Sequence, residues 1–125
     1  MRAERLQSSQ GATLEGPLLL TPRVFGDGRG FFLESWNQRV FAELLEADGQ
    51  PAPAAFVQDN HSRSSQGVLR GLHYQLDPHP QGKVVRCVLG EIFDVAVDLR
   101  RASSTFGHWC AARLSAANQQ QLWLP

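Results

Sequence analysis

The middle of the chain concentrates side chains that could bind a small molecule and move a proton. Gln58, Asn60, His73, Gln75 and Lys83 all lie within or beside runs of strand-forming residues. Polar groups on the inner face of a sheet are costly unless they pair or bind a ligand. Histidine is the side chain whose ordinary pKa lies closest to neutral pH, which suits a general base. The stretch therefore predicts a polar binding site in which His73 is the base.

The spacing of these residues resembles the first metal-binding motif of the cupins, which are double-sheet barrels. Gly67 leads to His73, and Lys83 precedes Gly90, but Gln75 stands where the motif has its second histidine and Lys83 where it has glutamate. An ammonium group repels a divalent cation, and one histidine with one glutamine is a poor ligand set. We therefore expect no metal. A metal-dependent cupin oxygenase or isomerase is the alternative that metal analysis would revive.

Short strands must position these side chains, because turn residues interrupt the apolar pattern at close intervals. Phe31 to Ser35 predicts one strand, and Leu89 to Glu91 predicts a hairpin turn. Apolar residues at helical spacing predict a single helix from Asn37 to Ala47. Period-2 alternation along 91–99 indicates a sheet with one buried face. The other predicted strands lie near 55–61, 67–75, 83–89, 107–114 and 119–124.

Length and composition restrict the function classes. The 125 residues make one domain, which we place at 14–125 after a frayed polar segment at 1–13. Twelve basic and twelve acidic residues cancel, which gives no support to a nucleic-acid partner or an anionic membrane. No apolar run approaches membrane-spanning length, and the N-terminus lacks a secretory signal. Cys87 and Cys110 are far apart, so we expect free thiols in the cytoplasm.

Longer segments resemble the dTDP-4-dehydrorhamnose 3,5-epimerase family. They are DGRGFFLESW, FVQDNHSRSSQGVLRGLHYQ, QGKVVRCVLGEIFDVAVDLRRASSTFGHW and LSAANQQQLWLP. The pairing of RGLHYQ with QGKVVR is the most specific of these signals. The resemblance runs from about Leu18 to Pro125, and it implies an all-β, cupin-like jelly-roll barrel. It also implies a homodimer that exchanges N-terminal strands and an isomerase that uses no cofactor.

The resemblance also implies roles for single residues. His73 matches the base that takes protons from carbons 3 and 5 of a 4-keto sugar, and Lys83 matches the residue near the ketone oxygen. Arg70 matches a pyrophosphate contact, since a guanidinium fits phosphate oxygens. The remaining substrate-binding residues implied by the family are Arg29, Glu34, Gln58 and Asn60. Arg29 and Glu34 reach the nucleotide from the partner subunit in the family.

Two features qualify the resemblance. Arg70 and His73 have opposite parity on an ideal strand, so a bulge at Gly71 is expected to re-aim one of them. The chain ends at Pro125, before the family segment that carries the general-acid tyrosine and the aspartate that orients the histidine. We therefore expect a barrel incomplete at its C-terminal end, and a truncated chain with reduced activity. The alternatives are a non-catalytic nucleotide-sugar-binding module, or a relative that acts at one carbon or isomerises the ketone.

Overall fold

Antiparallel β-structure and one helix make up the fold. The computed structural model describes residues 1–53 and 55–125. The predicted all-β class with one short helix is confirmed. In chain order the elements are β1 (Arg2–Gln7), β2 (Thr13–Thr21), β3 (Val24–Asp27), β4 (Gly30–Leu33), α1 (Gln38–Ala47), β5 (Lys83–Arg86), β6 (Glu91–Val97), β7 (Trp109–Ser115) and β8 (Gln121–Leu124).

A four-stranded antiparallel sheet in the order β1-β2-β8-β5 is the base of the structure. Its two faces carry different apolar sets, because alternate residues of each strand point to opposite sides. One face packs on α1, and we name its buried residues the helix-side cluster. The other face packs under the β6–β7 hairpin, and we name its buried residues the inner cluster. The helix-side cluster is Leu18, Leu20, Phe41, Leu45 and Trp123, and the inner cluster is Ala112, Leu114 and Leu122.

Residues 2–7 form a strand, where the sequence had suggested a frayed segment. The polar pattern of β1 hid this, because its stability comes from backbone pairing with β2 rather than from apolar side chains. Leu6 packs against the inner cluster, and Ala3 packs against the helix-side cluster. Arg5 adds an ion pair, since its Nε lies 2.7 Å from Asp48 Oδ1 at the end of α1. The expectation of fraying at this end of the chain was wrong.

Helix α1 begins and ends where the sequence predicted. The side chain of Asn37 caps it by accepting hydrogen bonds from the amides of Arg39 and Val40. Phe41 and Leu45, one turn apart, bury their side chains against the sheet. The helix ends at Asp48 and Gly49, where a positive φ of 78° suits glycine. In the described part of the chain, no helix has the length and apolar content needed to cross a membrane.

Two predicted strands are absent, and one predicted hairpin is a crossover. Residues 55–61 and 67–75 form no strand, and residues 57–82 are exposed throughout. Strand-forming side chains do not make a strand without a neighbour to bond. The turn before Glu91 joins β5 to β6, which belong to different sheets, so it does not close a hairpin. The strand predictions at β4, β5, β6, β7 and β8 are confirmed, with shorter bounds for some.

A buried carboxylate locks the loop between β6 and β7. The Asp98 side chain is 1% exposed and pairs with Arg100, whose Nε lies 3.0 Å from Asp98 Oδ1. The hydroxyls of Ser103 and Thr105 donate to Asp98 Oδ2 at 2.6 and 2.7 Å. The hydrogen bond from Arg100 holds the pKa of the Asp98 carboxyl far below its usual range, and the two hydroxyls contribute.

We expect Asp98→Asn to lower the free energy of unfolding by about 2 kcal/mol at pH 7, since hydrogen bonds to a buried charge are lost. A carboxyl whose pKa is depressed on folding stabilises the protein above its unfolded pKa, and this stabilisation is lost as pH falls. The difference in the free energy of unfolding between wild type and Asp98→Asn should therefore become smaller as the pH falls from about 5 to about 2. Urea unfolding across that range measures it, and a gap independent of pH would contradict the assignment.

Candidate functional site

The segment 57–82 carries most of the polar residues that the sequence singled out. It leaves the helix-side cluster after Phe56, runs over the outside of the fold, and enters the sheet at β5. The segment forms turns but no ladder, so its side chains are oriented by local hydrogen bonds rather than by strand parity. The expected conflict of parity between Arg70 and His73 therefore does not arise.

A backbone carbonyl orients the His73 imidazole. Its Nδ1 lies 2.9 Å from the carbonyl oxygen of Gly71, two residues earlier. A carbonyl oxygen only accepts, so Nδ1 carries the hydrogen and donates it. In the neutral ring Nε2 is then left with a free lone pair. Gly71 thus orients the His73 ring through its carbonyl, where the sequence had suggested a bulge.

Lys83 is the first residue of β5 and is half-buried. Its register opposite Leu124 puts its side chain on the face of the sheet that carries the inner cluster. The ammonium Nζ donates to Gln75 Oε1 at 3.2 Å and to the carbonyl of Gln81 at 3.0 Å. Gln75 follows His73 by two residues, so this contact ties the lysine to the same turn of chain as the imidazole. The structure therefore brings the Lys83 ammonium into contact with Gln75, which is two residues from His73 in the chain.

Asp94 is a further candidate site residue that the sequence analysis did not identify. It lies on β6 opposite the buried Ala112, on the face that packs toward the inner cluster. Burial raises the pKa of the Asp94 carboxyl, while a hydrogen bond from the Val95 amide and the charge of His73 work in the opposite direction. The imidazole is therefore within electrostatic reach of a half-buried carboxyl. The alternation along β6 was visible in the sequence, but it did not show which face is buried.

The other polar residues of the segment pair among themselves. The Arg70 guanidinium donates to Ser64 Oγ from Nε at 3.2 Å and from Nη2 at 3.0 Å. Gln58 Nε2 donates to Asn60 Oδ1 at 3.1 Å, so these two side chains do lie together as predicted. All four residues are exposed, and their contacts are with neutral groups. A guanidinium that pairs only with a hydroxyl is available to an anionic ligand.

Arg29 and Glu34 lie on a separate element, the β3–β4 hairpin. Among the described strands, β3 and β4 hydrogen-bond only to each other. Arg29 is 91% exposed and makes an ion pair with Asp27 across the turn, while Glu34 accepts a hydrogen bond from Asn37 at 3.1 Å. The hairpin borders an open depression of about 440 Å³ whose lining includes Phe25, Asp27, Arg29, Phe31 and Phe32. No hydrogen bond or ion pair within residues 1–53 and 55–125 joins this hairpin to His73 or Lys83.

The described residues contain no group of three or more histidine, cysteine, aspartate or glutamate side chains that could hold a metal ion. The local contacts are consistent with the expected lack of a metal, because the Lys83 ammonium bonds to the amide oxygen of Gln75. That oxygen is the atom the glutamine would offer to a cation.

Comparison with known proteins places the chain in a family. The family model described as dTDP-4-dehydrorhamnose 3,5-epimerase matches residues 11–125. A dTDP-4-dehydrorhamnose 3,5-epimerase from Pseudomonas aeruginosa is 64% identical over 108 residues, which cover 86% of this chain and 56% of the relative. One from Shigella flexneri is 62% identical over 108 residues, covering 86% of this chain and 57% of the relative. The chain thus spans just over half the length of these curated relatives.

Solved structures agree with the sequence match. A dTDP-6-deoxy-D-glucose-3,5-epimerase from Legionella pneumophila, in complex with dTDP-4-keto-L-rhamnose, superposes with a TM-score of 0.83 at 43% identity. The match covers 99% of this chain and 61% of the Legionella chain. These neighbours are cupin-like jelly rolls, and the sheet and hairpin described above follow the same fold. The expected fold family is therefore confirmed.

Proposed function

The chain belongs to the dTDP-4-dehydrorhamnose 3,5-epimerase family, and we propose that it is an isomerase acting on a dTDP-linked 4-keto sugar. The reaction converts dTDP-4-dehydro-6-deoxy-D-glucose to dTDP-4-dehydro-L-rhamnose, as the names of its relatives suggest. The observation that carries the proposal is the His73 imidazole, whose Nδ1 is held by the Gly71 carbonyl at 2.9 Å. Its Nε2 is the atom that would take the proton.

The chemistry follows from the substrate's own ketone. Carbons 3 and 5 flank the carbonyl at carbon 4, so loss of a proton from either carbon leaves an enolate. The proton moves to His73 Nε2, and the electron pair of the C–H bond moves onto the carbonyl oxygen. The ammonium of Lys83 would stabilise that negative charge, which develops only in the transition state and the enolate. Return of a proton from water to the opposite face of the carbon completes the inversion, and His73 releases the proton it took to solvent.

This route needs no metal or cofactor, because the ketone itself accepts the electron pair. The donor chemistry supports that part of the proposal, since the Lys83 ammonium is 3.2 Å from Gln75 Oε1 and would repel a cation bound there. We propose further that the domain formed by residues 14–125 works in the cytoplasm. Two free cysteines, one of them buried, support this compartment.

Substrate binding would use polar residues of the segment 57–82 and of the β3–β4 hairpin. Arg70 would contact the pyrophosphate, while Gln58 and Asn60 would hydrogen-bond the sugar. Arg29 and Glu34 would contact the nucleotide of a second subunit in a homodimer with exchanged N-terminal strands. The isolated β3–β4 hairpin supports this arrangement, because Phe32 is 70% exposed beside Arg29 and has no cover within its own described chain.

A second candidate function is binding of the nucleotide sugar without catalysis. The observation that favours it is that Arg29 bonds to Asp27 and Arg70 to Ser64, so neither contact involves His73 or Lys83, and binding could exist without catalysis. It predicts that dTDP binds with an affinity that falls when either arginine becomes alanine, while no proton exchange occurs. Calorimetric titration that finds no affinity for dTDP would remove this candidate.

Deuterium exchange tests the proposed function. The substrate is incubated with the chain in deuterated water, and NMR follows the protons on carbons 3 and 5. We expect deuterium at both positions at a rate proportional to protein concentration. Incorporation at carbon 3 alone would identify a one-carbon epimerase. Absence of incorporation at both carbons, with dTDP still bound, would favour the non-catalytic candidate.

A further inference from the structure

Gly82 lies directly before the site lysine and directly against an aromatic ring. A Cβ atom built on Gly82 would lie 2.5 Å from Cη2 and 2.9 Å from Cζ3 of Trp123. Real Cβ contacts are longer than this, so a side chain at this position forces either the backbone or the ring to move. Glycine is therefore required here by the ring rather than by the backbone angles.

Its surroundings hold the Trp123 ring in place. It is 3% exposed, and its Nε1 donates to Gln50 Oε1 at 3.1 Å. Gln50 is itself fixed, since its Nε2 donates to the carbonyl of Gly16 at 2.8 Å. The ring also meets Phe41 and Phe56 edge to face, with centroid distances of 5.2 and 6.1 Å. A side chain at residue 82 would consequently displace the backbone of the chain that enters β5.

We propose that Gly82 and Trp123 are positioning residues for Lys83, an inference that rests on the proposed function. In the β5–β8 ladder Val84 pairs with Trp123, and Lys83 pairs with Leu124 at the last rung. Trp123 and the Lys83 side chain therefore occupy opposite faces of the sheet, so the ring acts on the lysine only through the backbone. The contact fixes where the ammonium stands relative to Gln75 and the reacting ketone.

Gly82→Ala should lower the rate of proton exchange by about 10-fold to 100-fold, since a displacement near 1 Å can cost this much. The change should lie mainly in kcat, because the pyrophosphate contact of Arg70 is made elsewhere. Trp123→Phe removes the atoms that would clash, and the double variant Gly82→Ala, Trp123→Phe should recover most of the lost rate. Both Trp123 variants lose the bond to Gln50, so they should be less stable than wild type. The double variant should therefore combine a recovered exchange rate with a lowered stability, which separates the effect on rate from the effect on stability.

A direct readout exists because Lys83 is the only lysine in the chain. Labelling with ¹³C-lysine gives a single side-chain signal, which reports the surroundings of the ammonium without any activity assay. We expect Gly82→Ala to shift this signal and the double variant to return it toward its wild-type position. Gly28→Ala is the matched control for the signal, since a Cβ there meets nothing within 4 Å.

The two proposals fail in different ways. If the wild-type chain exchanges no protons, the proposed function fails, and the Lys83 signal still decides whether the contact positions the lysine. A folded Gly82→Ala protein with an unchanged Lys83 signal would overturn the positioning role. Should Gly82→Ala not fold, the double variant provides the comparison. The positioning role would also be overturned if the double variant folds but its Lys83 signal lies at the position of a lysine in an unfolded peptide.

Discussion

Replacement of His73 by glutamine should abolish measurable proton exchange at both carbons while leaving binding of dTDP intact. General-base catalysis by a positioned side chain contributes roughly 10²-fold to 10⁴-fold, and glutamine has no basic atom to replace Nε2. The effect should appear in kcat, because His73 is proposed to act in the chemical step and not in binding of the nucleotide. The ring is exposed, and its hydrogen-bond partner among the described residues is the Gly71 carbonyl. Its removal therefore leaves no buried group unpaired, and the fold should persist.

His79→Gln is the matched control for this prediction. His79 lies in the same exposed segment, between two prolines, and serves no function in the proposed mechanism. Its variant should exchange protons at the wild-type rate, and deuterium incorporation measured under one set of conditions compares all three proteins. A His73→Gln chain that retained more than a tenth of the wild-type exchange rate would show that another group is the base.

The second large effect is expected at Lys83. Lys83→Met keeps the length of the side chain but removes the charge, so the enolate oxygen loses its stabilising partner. Loss of one such group from an active site costs roughly 10²-fold to 10³-fold in kcat. Exchange should slow by this factor at carbons 3 and 5 alike, because both protons depend on the same carbonyl oxygen.

Two comparisons sharpen the Lys83 prediction. Lys83→Arg keeps a positive charge and should retain part of the activity. If Lys83→Met acted only by disturbing the packing, Lys83→Arg would lower the rate by a similar factor. Arg63→Met removes a positive charge from the exposed segment 57–82 that precedes Lys83 and should leave the rate unchanged. Equal losses in Lys83→Met and Arg63→Met would show that the general positive field, and not a placed ammonium, is responsible.

Sequence patterns located α1 correctly because its signals are local. Asn37 caps the helix, Phe41 and Leu45 supply its apolar face, and Gly49 follows its end. Each signal acts within one or two turns of chain, so no distant partner was needed to interpret it. The strands β5 to β8 were found for a related reason, since apolar alternation is also local.

The errors concern pairing, which local patterns do not contain. Residues 67–75 have the composition of a strand, yet no described strand forms a backbone ladder with them. Residues 2–7 have polar composition, yet β2 offers them a complete ladder. For Asp94 the alternation was correct, but the buried face depends on β6 packing over the sheet, so the sequence did not show that this carboxyl is half-buried. The contact between Lys83 and Gln75 agrees with the sequence prediction that these residues lie close together, and the role of His73 beside them stays a prediction.

The state of the His73 ring is the most direct test of the account. With ¹⁵N-labelled histidine at about pH 8.5, where an ordinary imidazole is neutral, NMR distinguishes a protonated from an unprotonated ring nitrogen, and His73→Gln identifies the signals. The contact with the Gly71 carbonyl predicts that Nδ1 carries the hydrogen and that Nε2 carries none. A ring found mainly with its hydrogen on Nε2 would contradict the assignment of that atom as the base.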